Sequence, residues 1–183
     1  ILRASIDVLR NKPVVLLPDF PTGGMADCSN YNAGKKGSRV RVRAKIETQN
    51  KTNLVIRNIP FGTTTSSVID SIVKANDKGK IKIKKPEKGM QAVEDLTAKD
   101  VEIVIHLAPG VSPDITIDAL YAFTDCEVSI SPNACVIFDD KPHFVTVSHI
   151  LKTCNDQTVH LLKRELEIKR FELKEKLLYS SLE

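Results

Sequence analysis

The sequence predicts an α+β fold: a mixed, mainly antiparallel sheet with strand-helix-strand units, followed by a long C-terminal helix. Cationic and apolar residues alternate strictly over residues 39–47, which predicts a strand with one basic and one apolar face. A second alternating segment, residues 80–85, follows a stretch with helical apolar spacing. A seven-residue-like apolar stripe along residues 157–178 predicts the long helix.

Charge is distributed unevenly along the 183 residues. Residues 1–91 hold 18 Lys and Arg against 7 Asp and Glu, whereas residues 92–183 hold 9 against 16. This asymmetry predicts a basic contact surface on one part of the molecule and a solvated acidic or helical part elsewhere. A hydrophobic content of 42% is enough for one sizeable core and an appended element.

The N-terminal third begins with an apolar-periodic helix over residues 1–10. Residues 14–17 fit either a helix or a strand, and residues 18–24 form a turn whose two glycines give backbone freedom, since no phosphate-binding glycine motif is present. Residues 29–37 are predicted to form a loop that brings Lys35 and Lys36 to the start of the basic strand. A longer loop, residues 48–53, then leads into an antiparallel partner strand over residues 54–59.

The middle of the chain alternates helices and strands. Hydroxyl residues at 63–67 predict the N-cap of a helix that Gly79 closes, and residues 80–85 form the next strand. Residues 86–97 are predicted to be a loop and residues 101–107 a strand. A helix that starts at Pro113 is expected to bury four side chains: Ile117, Leu120, Tyr121 and Phe123.

The C-terminal part is predicted to contain short strands at residues 128–130 and 134–138. A turn at residues 139–142 follows. Residues 147–152 form a short helix, which ends before Asn155 and Asp156, and the long helix then begins.

A row of basic residues is the candidate site. Like charges two residues apart on a strand repel each other, so their alignment favours a polyanionic partner, and nucleic acid is the obvious candidate. The candidate DNA-binding residues are Lys35, Lys36, Arg39, Arg41, Arg43, Lys45, Lys80, Lys82 and Lys84. No base-reading motif is visible, so the predicted contact is independent of DNA sequence. The alternative is a solvated sheet face that binds nothing.

The remaining reactive side chains show no catalytic or metal-binding spacing. Cys28, Cys126, Cys135 and Cys154 lack a CxxC pair, and the four histidines form no HxxxH pattern. We predict free thiols in a reducing compartment and no metal site.

Three segments give the chain a family resemblance. They are Asp19-Phe20-Pro21-Thr22-Gly23-Gly24, the basic strand 39–47, and Leu54-Val55-Ile56-Arg57-Asn58-Ile59-Pro60-Phe61. In this order and spacing they resemble the A subunit of bacterial type IIA topoisomerases, the family of topoisomerase IV and DNA gyrase. The similarity resumes at residues 100–107 and continues through Asp139-Asp140-Lys141-Pro142 into the long helix.

The resemblance implies a tower domain over residues 1–152, entered by a helix at 1–12, and the start of a coiled-coil arm over residues 153–183. In the family, paired towers bind the bent DNA segment that the enzyme cleaves. The catalytic tyrosine stands beside an arginine upstream of the matched region, and none of Tyr31, Tyr121 and Tyr179 has an arginine neighbour. We therefore assign no catalytic residue and expect the chain alone to be inactive.

The resemblance also implies partners, cofactors and location. The partners would be double-stranded DNA, the ATPase B subunit and a second A subunit, in the bacterial cytoplasm at the nucleoid, with a role in chromosome segregation. The chain itself would need no cofactor, whereas the parent enzyme would use Mg²⁺ and the ATP bound by the B subunit. Two alternatives stay open: a structural spacer between the cleavage region and the arm, and an RNA-binding sheet, which the lack of aromatics in the basic strands disfavours.

Overall fold

The computed structural model describes residues 1–85 and 91–182. In chain order its elements are α1 (Leu2–Leu9), β1 (Met25–Asn30), β2 (Arg39–Arg43), β3 (Lys45–Asn50), β4 (Asn53–Asn58), α2 (Thr65–Asp77), β5 (Val93–Asp95), β6 (Ile103–His106), α3 (Pro113–Phe123), β7 (Glu127–Ile130), β8 (Cys135–Phe138), β9 (Lys141–Phe144) and α4 (Val147–Leu182). A 3-10 turn, Asn32–Gly34, lies between β1 and β2. Helices and antiparallel sheets share the chain, which confirms the predicted α+β class.

The chain folds as two compact units that are discontinuous in sequence. The larger unit combines Pro18–Tyr31 with Gly37–Pro132, and the smaller unit combines Ile1–Leu17, Asn32–Lys36 and the chain from Asn133 onward. The tower boundary at residue 152 stays a prediction.

The larger unit contains two antiparallel sheets. A four-stranded sheet has the spatial order β3-β4-β6-β5, and a three-stranded sheet has the order β1-β2-β7. Helix α2 turns its apolar face, Val68, Ile72 and Ala75, into the core. Thr64 caps this helix reciprocally with Ser67, as the run of hydroxyl residues predicts.

The predicted strand over residues 39–47 is divided at Ala44 into β2 and β3, which belong to different sheets. Ala44 is fully buried, and its backbone forms hydrogen bonds with residues outside β2 and β3. Its N–H donates to the Cys126 carbonyl at 2.8 Å, and its carbonyl accepts from the Tyr121 hydroxyl at 3.0 Å. These two bonds satisfy the buried backbone polar groups at the point where the chain changes sheets. The predicted single strand is therefore wrong, although the alternation of exposed and buried side chains is confirmed along β2.

Residues 80–85 form no strand. A single antiparallel bridge joins Ile83 to Leu107, and the Ile83 N–H donates to the side-chain oxygen of Asn76 on α2 at 3.2 Å. The Ile83 N–H therefore pairs with a side chain of α2 and not with a strand. The alternation itself is confirmed, since Ile81 and Ile83 are buried while Lys80 and Lys82 are exposed.

Strand β9 in the smaller unit was missed because residues 141 and 142 were wrongly predicted as part of a turn. Two strands of the larger unit were missed because their sequences lack a strand pattern. β1 is mostly polar, and β5 lies inside the segment predicted as a loop over residues 86–97, of which 86–90 are outside the described residues. Both strands form by pairing with a stronger neighbour, β2 for β1 and β6 for β5.

The β3-β4 hairpin is confirmed, but its predicted longer loop is wrong. Only Lys51 and Thr52 connect the strands. The side-chain oxygen of Asn50 accepts from both the N–H and the hydroxyl of Thr52, each at 2.9 Å. This local turn lets the hairpin close with two residues.

The smaller unit contains α1, the β8-β9 hairpin and α4. Asp139 and Asp140 connect β8 to β9 with φ values of 48° and 58°, the pair of positive angles that a two-residue hairpin turn requires. Helix α4 runs for 36 residues without the predicted break at 155–156, because no Gly or Pro interrupts it. Asn155 of α4 donates to the Ser5 carbonyl of α1 at 3.2 Å.

Gly24 is held against the backbone of β2, and its replacement is expected to destabilise the larger unit. With φ at +85°, a Cβ at Gly24 would lie 2.5 Å from the Arg43 carbonyl oxygen. Gly62 has φ at +86° with nothing within 4 Å of its Cβ position, and so is a matched control. We expect Gly62→Ala to lower the unfolding free energy by about 1 kcal/mol and Gly24→Ala by at least about 2 kcal/mol. Equal losses in urea denaturation would show that the close approach to Arg43 is unimportant.

Candidate nucleic-acid interface

The exposed side of β2 displays Arg39, Arg41 and Arg43, while Val40 and Val42 are buried beneath them. The predicted basic row therefore exists as three arginines on one face of the three-stranded sheet. Its neighbours in strand register were not foreseen. Asp27 on β1 pairs with Arg41, and Glu127 on β7 pairs with Arg43.

Arg41 is ion-paired with Asp27. The Nη2 atom lies 2.6 Å from Oδ2, and both side chains are exposed. The other carboxylate oxygen accepts from the N–H of Ser29 at 3.0 Å and from its hydroxyl. The Ser29 bonds, together with Arg41, hold the pKa of Asp27 well below its usual value. Asp27 is therefore negatively charged in the folded protein near neutral pH.

Arg43 has two partners. Its Nε atom donates to Glu127 Oε2 at 2.5 Å, and its guanidinium lies 4.8 Å from the centroid of the Tyr121 ring. Burial raises the pKa of Tyr121, whose hydroxyl is fixed on the Ala44 carbonyl. Arg43 is thus more constrained than Arg41.

Arg39 differs from the other two arginines. It pairs in register with Asn30, and among the described residues no carboxylate lies within ion-pair distance of it. A phosphate that approaches Arg39 therefore has no carboxylate of the described chain to displace.

Lys45 lies in the four-stranded sheet and not in the arginine row. Its Nζ is 2.9 Å from Glu47 Oε1, and Glu47 also approaches Arg57, which in turn lies 3.1 Å from Glu102. The contact with Lys45 is the main reason why the pKa of Glu47 is lowered. The predicted row of four cations is therefore shorter by one.

The lysines of residues 80–85 lie on the surface of the larger unit. Lys80 Nζ is 5.3 Å from the ring centroid of Phe123, a side chain that we expected in the core and that is half exposed. Phe123 stands at the last position of α3, beyond the buried Leu120, so the helix turns it outward. Lys82 is exposed, and Lys82, Lys84 and Lys85 line an open cleft of about 510 Å³.

Lys35 and Lys36 are exposed and belong to the smaller unit, next to the 3-10 turn Asn32–Gly34. Their predicted contact with DNA stays a prediction, as does that of every other candidate cation.

Within residues 1–85 and 91–182, no group of three His, Cys, Asp or Glu side chains could hold a metal ion. Cys126 is buried, which raises its pKa to about 11, and all four cysteines are free thiols. No helix in the described part of the chain is both long and apolar enough to span a membrane.

Comparison with known proteins gives a consistent result. The sequence model of the family described as the A subunit of DNA gyrase/topoisomerase IV matches residues 1–182. The chain is 38% identical over 183 residues to the A subunit of DNA topoisomerase 4 from Borreliella burgdorferi, which is the whole chain and 28% of that protein. It is 35% identical over 179 residues to the A subunit of DNA gyrase from Lawsonia intracellularis, or 92% of the chain and 20% of that protein. The chain thus spans less than a third of either relative.

Proposed function

Since the chain belongs to the family of DNA gyrase and topoisomerase IV A subunits, we propose that it binds duplex DNA as part of such a protein. The observation that supports this most directly is the row of exposed arginines on β2, above a fully apolar buried side. Sequence-independent DNA affinity comes mainly from cations that replace counterions at phosphates. Arg39, Lys80 and Lys82 are the side chains best placed to do so, because no carboxylate among the described residues neutralises them.

At the level of the whole subunit, we propose the activity that the family resemblance implies. The subunit would act with an ATPase B subunit and a second A subunit in ATP-dependent passage of one DNA duplex through another, in the bacterial cytoplasm. Mg²⁺ would serve the cleavage reaction of that whole enzyme. In this chain we assign binding and no catalytic step.

A second candidate function is the structural spacer, and the ion pairs favour it. Two of the three arginines on β2 already have carboxylate partners, so this face is largely neutralised by the protein itself. An RNA-binding sheet has no such support, because the exposed positions of β2 contain only arginines and single-strand binding needs stacking aromatics.

Binding of the 183-residue chain to short duplexes of unrelated sequence tests the proposal. We expect equal affinity for all duplexes, with log affinity falling against log salt at a slope of about −2.7 or steeper. This corresponds to at least three phosphate contacts, each of which contributes about 0.9. Fluorescence anisotropy at increasing salt measures both quantities. No binding, or binding that salt does not change, would favour the spacer.

A further inference from the structure

Two carboxylates stand inside the basic face of the three-stranded sheet. Asp27 comes from β1 and Glu127 from β7, so the arginines of the central strand β2 have an acid on either side. Each acid is directly opposite the arginine that it binds, at 2.6 Å for Asp27 and Arg41 and at 2.5 Å for Glu127 and Arg43.

Asp27 is fixed by more than its arginine. Ser29, two residues along β1, donates its N–H and its hydroxyl to one carboxylate oxygen, which leaves the other oxygen for Arg41. The negative charge is therefore held at a defined place on the exposed face. A mobile acid would move away from an approaching phosphate, but this one stays.

Phosphate and carboxylate need the same donors. Both are anionic oxygen groups that guanidinium binds through paired N–H bonds, so an arginine in an ion pair offers fewer donors to a phosphate. We propose that Asp27 and Glu127 limit the affinity of this face for the DNA backbone by competing with phosphates for Arg41 and Arg43. This rests on the proposed DNA-binding function.

The exposure of the ion pairs determines how strongly the acids compete with phosphate. The Arg41 and Asp27 side chains are 51% and 41% exposed, and ion pairs at such positions are weak. Phosphate can therefore displace the acid, but the fixed charge then lies beside the phosphate and repels it. The acids reduce binding without preventing it, and this keeps a sequence-independent contact weak enough to release DNA.

Neutral variants of the same shape provide the test. We expect Asp27→Asn and Glu127→Gln each to tighten binding of the 183-residue chain to a short duplex about two- to fivefold, the range for an exposed ion pair. Each should also steepen the salt slope by up to about 0.9, because one arginine gains a full phosphate contact. Asp70→Asn is the matched control: Asp70 is exposed on α2 of the same unit, and it loses the same charge.

A double-mutant cycle separates competition from a general change in charge. In an Arg41→Gln background, Asp27→Asn should have no more effect than Asp70→Asn, because the donor for which the acid competes has been removed. If Asp27→Asn unfolds the protein, Glu127→Gln with Arg43→Gln carries the same test. Thermal unfolding curves identify that case.

The outcomes distinguish this inference from the proposed function. Salt-dependent DNA binding by the wild type, with unchanged or weaker binding by both neutral variants, overturns the competition and leaves the DNA-binding function standing. Tighter binding that persists without Arg41 also overturns it. If the wild type does not bind DNA, the proposed function and the inference are both wrong.

Discussion

Reversing Arg41 and Arg43 to glutamate is expected to weaken duplex binding about tenfold to a hundredfold, or about 0.7 to 1.4 kcal/mol per arginine. The two guanidiniums are the central cations of the face, and each new glutamate would stand beside Asp27 or Glu127. The salt slope should flatten by less than about 1.8, because the ion pairs with Asp27 and Glu127 leave each arginine less than a full phosphate contact to lose. The loss should be equal for unrelated duplexes, because phosphate contacts carry no sequence information.

A matched reversal controls for net charge. Arg164 and Arg170 are exposed on α4, and their replacement by glutamate changes the total charge equally. We expect that variant to retain most of the affinity. If both reversals weaken binding to the same degree, the interaction follows net charge and the arginine face has no special role. Unchanged binding after Arg41→Glu/Arg43→Glu would support the spacer.

Truncation of Ile105 is expected to lower the free energy of unfolding by about 2 to 5 kcal/mol. Ile105 lies on β6, one of the two inner strands of the four-stranded sheet, is fully buried, and pairs in register with Leu54 on β4 and Val93 on β5. Ile105→Ala would leave a cavity where rigid strands surround the site on both sides, which limits collapse around it.

The same substitution on the surface is the control for Ile105. Ile115 is 71% exposed on α3, so Ile115→Ala removes the same atoms without leaving a cavity. We expect its effect to stay within about 0.5 kcal/mol. If urea denaturation gives an unchanged m value for both variants, the difference between their unfolding free energies arises in the native state. Similar losses for the two variants would mean that the core adapts to the missing side chain.

Local patterns explain which parts of the fold were predictable. The alternation of β2 and the capping residues of α2 depend on neighbours within a few positions, and both were confirmed. The division at Ala44 depends instead on Cys126 and Tyr121, and no pattern within residues 39–47 reveals partners so distant in sequence. The continuity of α4 could have been predicted from its lack of Gly and Pro, because Asn155 and Asp156 are only weak helix formers.

The candidate site was predictable in its cations but not in their partners. A basic alternating strand is visible in the sequence, whereas Glu127 is 84 positions from the arginine that it binds. Asp27 is closer, but β1 has no strand pattern and so its register with β2 could not be expected. The sequence therefore overestimates the positive charge that this face presents.

The bond between Ser5 and Asn155 affects the order in which the protein folds during synthesis. The two residues are 150 positions apart, and a ribosome adds about 5 to 20 residues per second. Helix α1 thus waits roughly 8 to 30 s for the first turns of α4, while the larger unit can fold once residue 132 has left the exit tunnel. An eight-residue helix is marginal in water by itself, so α1 would become ordered after the larger unit, most of which follows it in the chain.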